Sequence, residues 1–343
     1  MIQAERTRLF EEAAEAPHVI RKQLQVNRQC MEELGSALRD LAPPAVVTCG
    51  RGSSDHAATF ARYLIETRMG LMTSSASPSV SSVYAMQPGW NGVAFLAISQ
   101  SGASPDILSA AAAAQASGAK VIAAVNSESS PLARAAHHTI PLCAGNESSV
   151  AATKSHLASL AAVINLVASW LRDAKLLAHL HCAPAQLTEA WNLDWSTAAT
   201  QLEGAESLYV IGRGLGFGAA QEAALKLKET CGLHAEAFSA AELRHGPMAL
   251  VRPGFPMLVL SQNDETRVGI SALVDELVDS GAMVITAGAQ HPRALNLRTV
   301  QADPAIEPML MLQSFYRMVN ALAVARGRDP DRPPHLNKVT ETL

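Results

Sequence analysis

The sequence predicts an α/β protein made of two tandem three-layer αβα sandwiches with parallel sheets, plus helical segments at both ends of the chain. A long internal repeat, short apolar runs and helical stretches between those runs support this prediction. Parallel strands are covered by helices on both faces, so they are apolar throughout instead of alternating with polar residues. The 343 residues also exceed the usual size of one compact core, which favours two domains.

The internal repeat consists of three pairs of similar segments in the same order along the chain. The paired segments are 46–58 with 208–220, 93–107 with 255–269, and 117–125 with 280–288. The first pair shares GRG and a closing Ala-Ala, the second shares Ser-Gln, and the third shares SGA. The first two pairs have the same offset, and the third has an offset longer by one, so one residue is inserted between them. An offset of this length indicates a duplicated domain and not a solenoid.

Each copy predicts a βαβαβ order, because apolar runs alternate with turns and helical stretches. In the first copy the predicted strands are 45–49, 93–98 and 121–125. Further helices are predicted at 2–38 with a break at Pro17, at 155–174 and at 307–326. The predicted domains are an N-terminal helical segment at 1–40, a first sandwich at 41–185, a second sandwich at 186–330 and a C-terminal tail at 331–343. The boundary between the two sandwiches is placed near 184–189, where we expect polar residues and Pro184 to interrupt the helical pattern.

The composition argues against several classes of function. The chain carries 27 lysines and arginines against 31 aspartates and glutamates, so its formal charge is -4 and no basic surface for nucleic acid is expected. The longest apolar stretch, 157–171, is shorter than the ~20 residues that cross a bilayer. Charges in the first twelve residues argue against a secretory leader. We therefore expect a cytoplasmic protein with no membrane contact.

The cysteines and histidines predict no metal site. The five cysteines, Cys30, Cys49, Cys143, Cys182 and Cys231, lack a CxxC pair or a spacing that suits zinc. We interpret them as reduced core residues.

A hydroxyl-rich loop in the first copy predicts a phosphate site. Ser99, Gln100, Ser101 and Ser104 follow a predicted strand and precede a helix, and backbone N–H groups at a helix start bind anions. The alternative is that the serines only cap the helix. A second hydroxyl pair, Ser53 and Ser54, follows the first GRG turn at the same predicted sheet edge and favours the anion site. The equivalent loop of the second copy carries two carboxylates that would repel phosphate.

Two further segments carry charge in an otherwise apolar chain. Glu222, Lys226 and Glu229 share one face of a predicted helix, which is also the pattern of a solvent-facing helix held by salt bridges. His245 stands before Gly-Pro, in a loop that can present a titrating side chain. A lone histidine is usually structural, so His245 is a candidate site residue only in combination with the residues around it.

Four segments of the chain resemble the sugar isomerase (SIS) domain family. They are SQSG at 99–102, AGNESSVAATK at 144–154, EAALKLKETCGLHAEAFSAAELRHGPMAL at 222–250 and HLNKVTE at 335–341. More narrowly, they resemble the isomerase half of glucosamine-6-phosphate synthase. The synthase begins with a glutaminase domain, whereas this chain begins Met1-Ile2, so we expect no protein-borne source of ammonia. By this logic the resemblance points to the SIS-type glucosamine-6-phosphate deaminases.

The resemblance implies a reaction and a set of site residues. The implied reaction converts glucosamine 6-phosphate and water to fructose 6-phosphate and ammonia, with no metal, flavin or nicotinamide. Glu229 would be the base at C1 and C2, and His245, supplied by the neighbouring subunit of a homodimer, would open the ring. Lys338 would be the tail lysine that covers the open-chain sugar. The resemblance does not decide whether this lysine forms a Schiff base with the sugar. The implied binding residues are Ser54, Ser99, Gln100, Ser101 and Ser104 for the phosphate, and Val150 and Lys226 for the sugar.

Two departures from the synthase pattern leave the identity of the sugar open. Ala152 replaces a serine that contacts sugar in the synthases, and Ala103 replaces a glutamate that is common in the phosphate loop. Galactosamine-6-phosphate deamination, deglycation of a fructosamine phosphate and plain aldose-ketose isomerisation use the same base and loop. A phosphosugar sensor is a further alternative, although the chain has no evident DNA-binding segment and keeps Glu229, His245 and Lys338.

Overall fold

A computed structural model describes residues 2–338, which divide into two compact units. The first-copy unit comprises His18–Glu147, Lys154–Cys182 and residues 337–338. The second-copy unit comprises the chain up to Pro17, Ser148–Thr153 and Ala183–Leu336. Met1 and residues 339–343 of the predicted tail lie outside the described residues.

The first-copy unit contains a five-stranded sheet in which all pairings are parallel. Its strands are β1 Val46–Cys49, β2 Thr73–Ser75, β3 Ala94–Ser99, β4 Lys120–Val125 and β5 His138–Pro141. The spatial order is β2-β1-β3-β4-β5. Phe95 and Val121 are fully buried on neighbouring central strands, as expected for strands covered on both faces.

The second-copy unit repeats this sheet. Its strands are β6 Ser207–Gly212, β7 His234–Ser239, β8 Pro256–Leu260, β9 Met283–Ala287 and β10 Leu295–Leu297. The order β7-β6-β8-β9-β10 is the order of the first sheet, and these pairings are also parallel. The predicted α/β class with two parallel sheets is confirmed.

Strand register supports the duplication residue by residue. Val47 pairs with Phe95 in the first sheet, and Tyr209 pairs with Met257 in the second. The displacement along the chain from Val47 to Tyr209 equals that from Phe95 to Met257. The next pairing joins Phe95 to Val121 in one sheet and Met257 to Val284 in the other. The displacement at the third strand is therefore longer by one residue, as the sequence alignment requires.

Helices surround both sheets. In chain order they are α1 Arg8–Ala14, α2 Ala16–Val26, α3 Arg28–Leu41, α4 Ser53–Met69, α5 Pro78–Ser82, α6 Pro105–Ala116, α7 Pro131–Ala135, α8 Lys154–Leu171, α9 Ala174–Trp191, α10 Ser196–Leu202, α11 Leu215–Cys231, α12 Arg267–Asp279 and α13 Glu307–Ala325. Short 3-10 turns lie at Ala4–Arg6, Glu242–His245 and Pro247–Leu250. None of the helices in the described part of the chain has the length and apolarity to cross a membrane.

One of the two expectations about prolines is wrong. Pro184 does not interrupt a helix, because α9 continues through it from Ala174 to Trp191. The helix break expected at Pro17 is present, since α1 ends at Ala14 and α2 begins at Ala16 with Pro17 in its first turn, where a residue without an N–H is tolerated. The chain turns again at Asn27.

The sequence missed all four edge strands. Only three strands per copy are predicted, whereas each sheet has five. The missed strands β2, β5 and β10 are three or four residues long and β7 has six residues, and polar residues interrupt all four, so none gives a continuous apolar run.

The interpretation of all five cysteines as core residues is wrong. All five are free, but only Cys49 and Cys231 are buried. Cys30 and Cys143 are half-buried, and Cys182 is exposed.

Candidate active site

The two predicted hydroxyl-rich turns lie at one edge of the first sheet. β1 and β3 pair in parallel from Val46 with Ala94 to Cys49 with Ala97. The turns that follow these two strands therefore lie side by side at the carboxyl ends of the strands. One turn leads into α4 at Ser53, and the other leads into α6 at Pro105. This is the edge where open parallel sheets bind ligands.

The 99–104 loop is held by its own hydroxyl groups. Ser99 Oγ accepts a hydrogen bond from the Gly102 N–H at 3.0 Å, and Ser101 Oγ accepts from the Ala103 N–H at 3.3 Å. Gly102 has a φ of 61°, and a Cβ there would lie 2.2 Å from Ser130 Oγ. The loop therefore requires glycine at position 102.

Helix capping does not account for the last serine of this loop. Ser104 is the N-cap residue of α6, but its side chain makes no capping hydrogen bond. Gln100, Ser101 and Ser104 are half-buried. Their side chains can therefore serve a ligand at the start of α6, which favours the anion site over simple capping.

A buried histidine supports the other turn. His156 Nδ1 lies 2.9 Å from the carbonyl oxygen of Ser53, and His156 is buried. Gly52, which precedes Ser53, has a φ of 54° and is the N-cap residue of α4. Sequence reasoning missed His156, because it lies in the apolar α8, far along the chain from the turn that it supports.

The predicted Lys226–Glu229 pair lies in α11 of the second-copy unit. Lys226 Nζ is 2.5 Å from Glu229 Oε2 and 3.3 Å from Glu222 Oε1. The side chains of Lys226 and Glu222 are fully buried, whereas that of Glu229 is 17% exposed. The alternative of a solvent-facing salt-bridged helix is therefore wrong, because only one of these three groups reaches solvent.

The two carboxylates keep Lys226 charged despite its burial. Burial alone would lower the pKa of Lys226, but attraction to Glu222 and to Glu229 outweighs it and holds that pKa above its ordinary value. Tyr316 of α13 supports the cluster, since its Oη lies 3.2 Å from Glu222 Oε1. Neither Glu222 nor Tyr316 was singled out as a site residue from the sequence.

His245 lies on an exposed 3-10 turn of the second-copy unit. Its neighbour Arg244 makes two hydrogen bonds to Glu276 of α12, from Nε to Oε2 at 3.0 Å and from Nη2 to Oε1 at 2.7 Å. Leu243 is buried, and Gly246 has a φ of 136°. The turn is thus anchored next to an exposed imidazole.

Lys338 contacts a buried carboxylate that the sequence analysis did not single out. Its Nζ lies 3.0 Å from Glu147 Oε2, and the Glu147 side chain is fully buried. Glu147 also accepts hydrogen bonds from Ser155, at 3.1 Å from the N–H and 2.6 Å from Oγ. Glu147 lies within the AGNESSVAATK segment, so the signal was present in the motif.

Val150 is half-buried in the short 148–153 segment of the second-copy unit. The preceding residues are held by Glu12 of α1, whose Oε1 accepts from the N–H of Ser148 at 2.5 Å and from its Oγ at 3.0 Å. Glu12 Oε2 accepts from the Ser149 N–H at 3.1 Å. Glu12 is buried and comes from a helix with no motif, so no sequence pattern indicated this role.

In the equivalent loop of the second copy, a carboxylate of the loop accepts hydrogen bonds from the loop's own donors. Asp264 Oδ2 accepts from Gln262 Nε2 at 2.8 Å, and its Oδ1 accepts from the Thr266 N–H at 2.9 Å. These loop donors are thus engaged internally. Across residues 2–338, no group of three or more His, Cys, Asp or Glu side chains is arranged to hold a metal ion.

Comparison with known proteins identifies the family. The SIS domain matches residues 43–169 and 201–304, once in each copy. The chain belongs to the SIS domain family.

Relatives place this SIS protein more narrowly. It is 36% identical over 313 residues to glutamine--fructose-6-phosphate aminotransferase [isomerizing] of Aeropyrum pernix, which covers 84% of this chain and 50% of the relative. The chain thus spans about half the length of the curated relatives it matches. A crystal structure from Silicibacter pomeroyi, provisionally described as a phosphosugar isomerase, is 39% identical, with a TM-score of 0.91, and covers 95% of this chain and 100% of that one. Glucosamine-6-phosphate deaminase of Thermotoga maritima shares the fold, with a TM-score of 0.78, 20% identity and coverage of 98% and 100%.

Proposed function

We propose that this SIS protein is a phosphosugar isomerase that deaminates glucosamine 6-phosphate to fructose 6-phosphate and ammonia. The observation that carries the proposal is the Lys226–Glu229 pair, in which a fully buried ammonium holds a carboxylate that solvent reaches. Proton transfer next to a carbonyl needs a carboxylate fixed in position. Glu229 has that fixed position, and Glu222 supplies a second negative charge to the buried cation.

The proposed reaction uses Glu229 to move one proton. After ring opening, Glu229 accepts the proton from C2 of the open-chain aldehyde. The electron pair of that C–H bond forms a C1–C2 double bond, while the C1=O π bond breaks and O1 takes up a proton. Glu229 then delivers a proton to C1, and the C2 amine loses a proton as its nitrogen lone pair forms the C=N bond and the C1–C2 π bond breaks, which leaves a hydroxymethyl group at C1 and an imine at C2. Water adds to the imine carbon and the amine leaves as ammonia, which gives the ketone of fructose 6-phosphate.

The hydroxyl-rich turns support a phosphorylated substrate. Ser53 and Ser54 begin α4, and Ser99, Gln100, Ser101 and Ser104 precede α6 at the same sheet edge. Two helix N-termini with half-buried hydroxyl groups favour a phosphate monoester. The names of the aminotransferase relatives, which include fructose 6-phosphate, support a hexose 6-phosphate.

Two further roles complete the proposal. Lys338 acts as a cation near the open-chain sugar, because its amine is paired with the buried Glu147 carboxylate. The active form is a homodimer in which the partner subunit's His245 opens the ring. The exposure of His245 on an anchored turn supports this role, since a side chain on such a turn can reach a second copy.

The test is ammonia release from glucosamine 6-phosphate, with galactosamine 6-phosphate and N-acetylglucosamine 6-phosphate alongside. Fructose 6-phosphate is assayed as the second product. We expect equal amounts of ammonia and fructose 6-phosphate from glucosamine 6-phosphate. Interconversion of aldose and ketose phosphates without ammonia would leave a phosphosugar isomerase but overturn the deamination. No turnover, with fructose 6-phosphate still raising the melting temperature, would favour a phosphosugar sensor.

A further inference from the structure

An ion pair joins the two hydroxyl-rich turns of the first-copy unit. Arg51 lies in the turn after β1, and Asp106 lies in the first turn of α6, directly after the 99–104 loop. Arg51 Nε is 2.6 Å from Asp106 Oδ2. The pair therefore lies at the sheet edge to which β1 and β3 bring the two turns.

The two partners differ in burial. The Asp106 side chain is fully buried, whereas the Arg51 side chain is 51% exposed. Asp106 Oδ1 also lies 2.8 Å from the N–H of Ile107. A guanidinium carries five N–H donors, and the contact to Asp106 is made through Nε. The exposed part of Arg51 can therefore bind an incoming anion while Asp106 fixes its position.

A phosphate at this edge needs such a cation. Asp106 follows one turn and Asp55 follows the other, each in the first turn of its helix. Burial raises the pKa of Asp55, while electrostatic interactions with His56 and with Arg51 act in the opposite direction. Carboxylates near a bound phosphate repel it, and Arg51 offsets that repulsion.

The second copy lacks this pair. In the alignment of the two copies, Arg213 corresponds to Arg51 and Val268 corresponds to Asp106. Val268 is exposed and cannot pair with an arginine. The loop there holds Asp264, which engages its own donors. The arginine–carboxylate pair thus occurs in the copy whose loop keeps its hydroxyl groups.

We propose that Arg51 binds the phosphate dianion of the substrate and that Asp106 is its positioning residue. This inference rests on the proposed function, which assigns the 99–104 loop to phosphate. Arg51 adds a charged, planar donor to a site otherwise made of hydroxyl and backbone groups, so it selects phosphorylated sugars over free sugars.

The test measures the affinity of the full chain for inorganic phosphate by calorimetry, together with the melting temperature. Arg62 offers a matched control, because it is 52% exposed on α4 of the same unit, with Nε 3.5 Å from Glu66 Oε1. We expect Arg51→Gln to weaken phosphate binding at least about ten-fold and Arg62→Gln to leave it unchanged. Arg51→Lys, which keeps the charge, should retain part of the affinity.

The Asp106→Asn variant distinguishes two roles of the Arg51–Asp106 pair: a phosphate site in which Arg51 contacts the anion, and an ion pair that only stabilises the fold. Asparagine keeps an oxygen for Arg51 but removes a negative charge, so phosphate binding should stay equal or tighten. Equal losses in Arg51→Gln and Asp106→Asn would overturn the inference in favour of a structural cross-link. Unchanged binding in Arg51→Gln, or no phosphate binding by the unmodified protein, would also overturn it. If Arg51→Gln alone loses phosphate but no sugar phosphate turns over, the inference stands and the proposed function fails.

Discussion

Lys226 Nζ lies 2.5 Å from Glu229 Oε2 inside α11, and the same ammonium lies 3.3 Å from Glu222 Oε1. One cation thus holds two carboxylates, of which only that of Glu229 reaches solvent. A salt bridge to a buried, immobile ammonium restricts where the Glu229 carboxylate can point. A general base must be held in a fixed orientation relative to the proton that it removes.

Replacing Lys226 with methionine should destabilise the fold. The Lys226→Met variant leaves Glu222 buried without its cation, and breaking a buried pair costs about 3–5 kcal/mol of the free energy of unfolding. Lys228→Met is the control, because Lys228 is exposed on the same helix. Urea unfolding at pH 7 measures both. An equal, small effect of the two substitutions would contradict the buried cluster.

The pH dependence of this effect follows from the raised pKa of Lys226. A lysine whose pKa is higher in the folded state stabilises the fold fully below its unfolded value of 10.5, and this stabilisation is lost as the pH rises through the folded pKa. The stability gap between the unmodified protein and Lys226→Met should therefore stay constant between pH 7 and 9. A gap that narrows over this range would show that Lys226 loses its proton there.

Gly102→Ala should disrupt the phosphate loop. A Cβ at position 102 would clash with Ser130 Oγ and would also be strained at a φ of 61°. Gly145→Ala shares the strain, with a φ of 67°, but has no atom within 4 Å of the new Cβ. We expect Gly102→Ala to cost about 1–3 kcal/mol more than Gly145→Ala and to lose phosphate affinity. Thermal unfolding and phosphate calorimetry provide the comparison, and equal behaviour of the two variants would argue against the loop geometry.

Glu147→Gln should impair turnover through Lys338. The substitution removes the carboxylate that lies 3.0 Å from Lys338 Nζ but keeps an oxygen for the Ser155 hydroxyl. Lys338→Met removes the other partner. If the two residues act as a pair, the double variant should lose little more activity than either single variant. If the fold-losses in kcat/KM of the two single variants instead multiply in the double variant, Glu147 and Lys338 act independently.

Sharing of His245 between subunits can be tested with two inactive variants. If the partner subunit's His245 serves each site, a mixed dimer of Glu229→Gln and His245→Ala contains one intact site. Co-refolding the two variants should then restore activity, up to about a quarter of the unmodified value for random pairing. A histidine that serves its own chain leaves every mixed site defective, so the absence of recovery in verified mixed dimers would refute the sharing.

The fold could be predicted from the sequence because its signals are local and repeated. The apolar central strands and the constant displacement between the copies identify two parallel sheets, and the register of Val47 with Phe95 and of Tyr209 with Met257 repeats that displacement. The edge strands β2, β5, β7 and β10 could not be predicted, because polar residues interrupt all four and three of them have only three or four residues. Pro184 was misleading, since a proline inside a long packed helix need not end it.

The candidate site could be predicted only where a motif carried it. The motifs locate Glu229, His245 and Lys338, but the groups that support the predicted site come from distant elements. Tyr316 reaches Glu222 from α13, and His156 reaches the Ser53 carbonyl oxygen from α8. Contacts between residues so far apart in sequence depend on packing, which no local pattern records.

The most direct test of Glu229 as the base is the incorporation of solvent deuterium into the sugar phosphate. The reaction is run in D₂O with the unmodified protein and with Glu229→Gln, and NMR measures the deuterium in the product. Catalysis by Glu229 predicts deuterium at C1 of the fructose 6-phosphate formed by the unmodified protein, because the Glu229 side chain is 17% exposed and exchanges its proton with solvent before it delivers one to C1. It predicts no incorporation by Glu229→Gln, whose affinity for fructose 6-phosphate should stay within about three-fold. Incorporation at the unmodified rate by Glu229→Gln would contradict the assignment of Glu229 as the base.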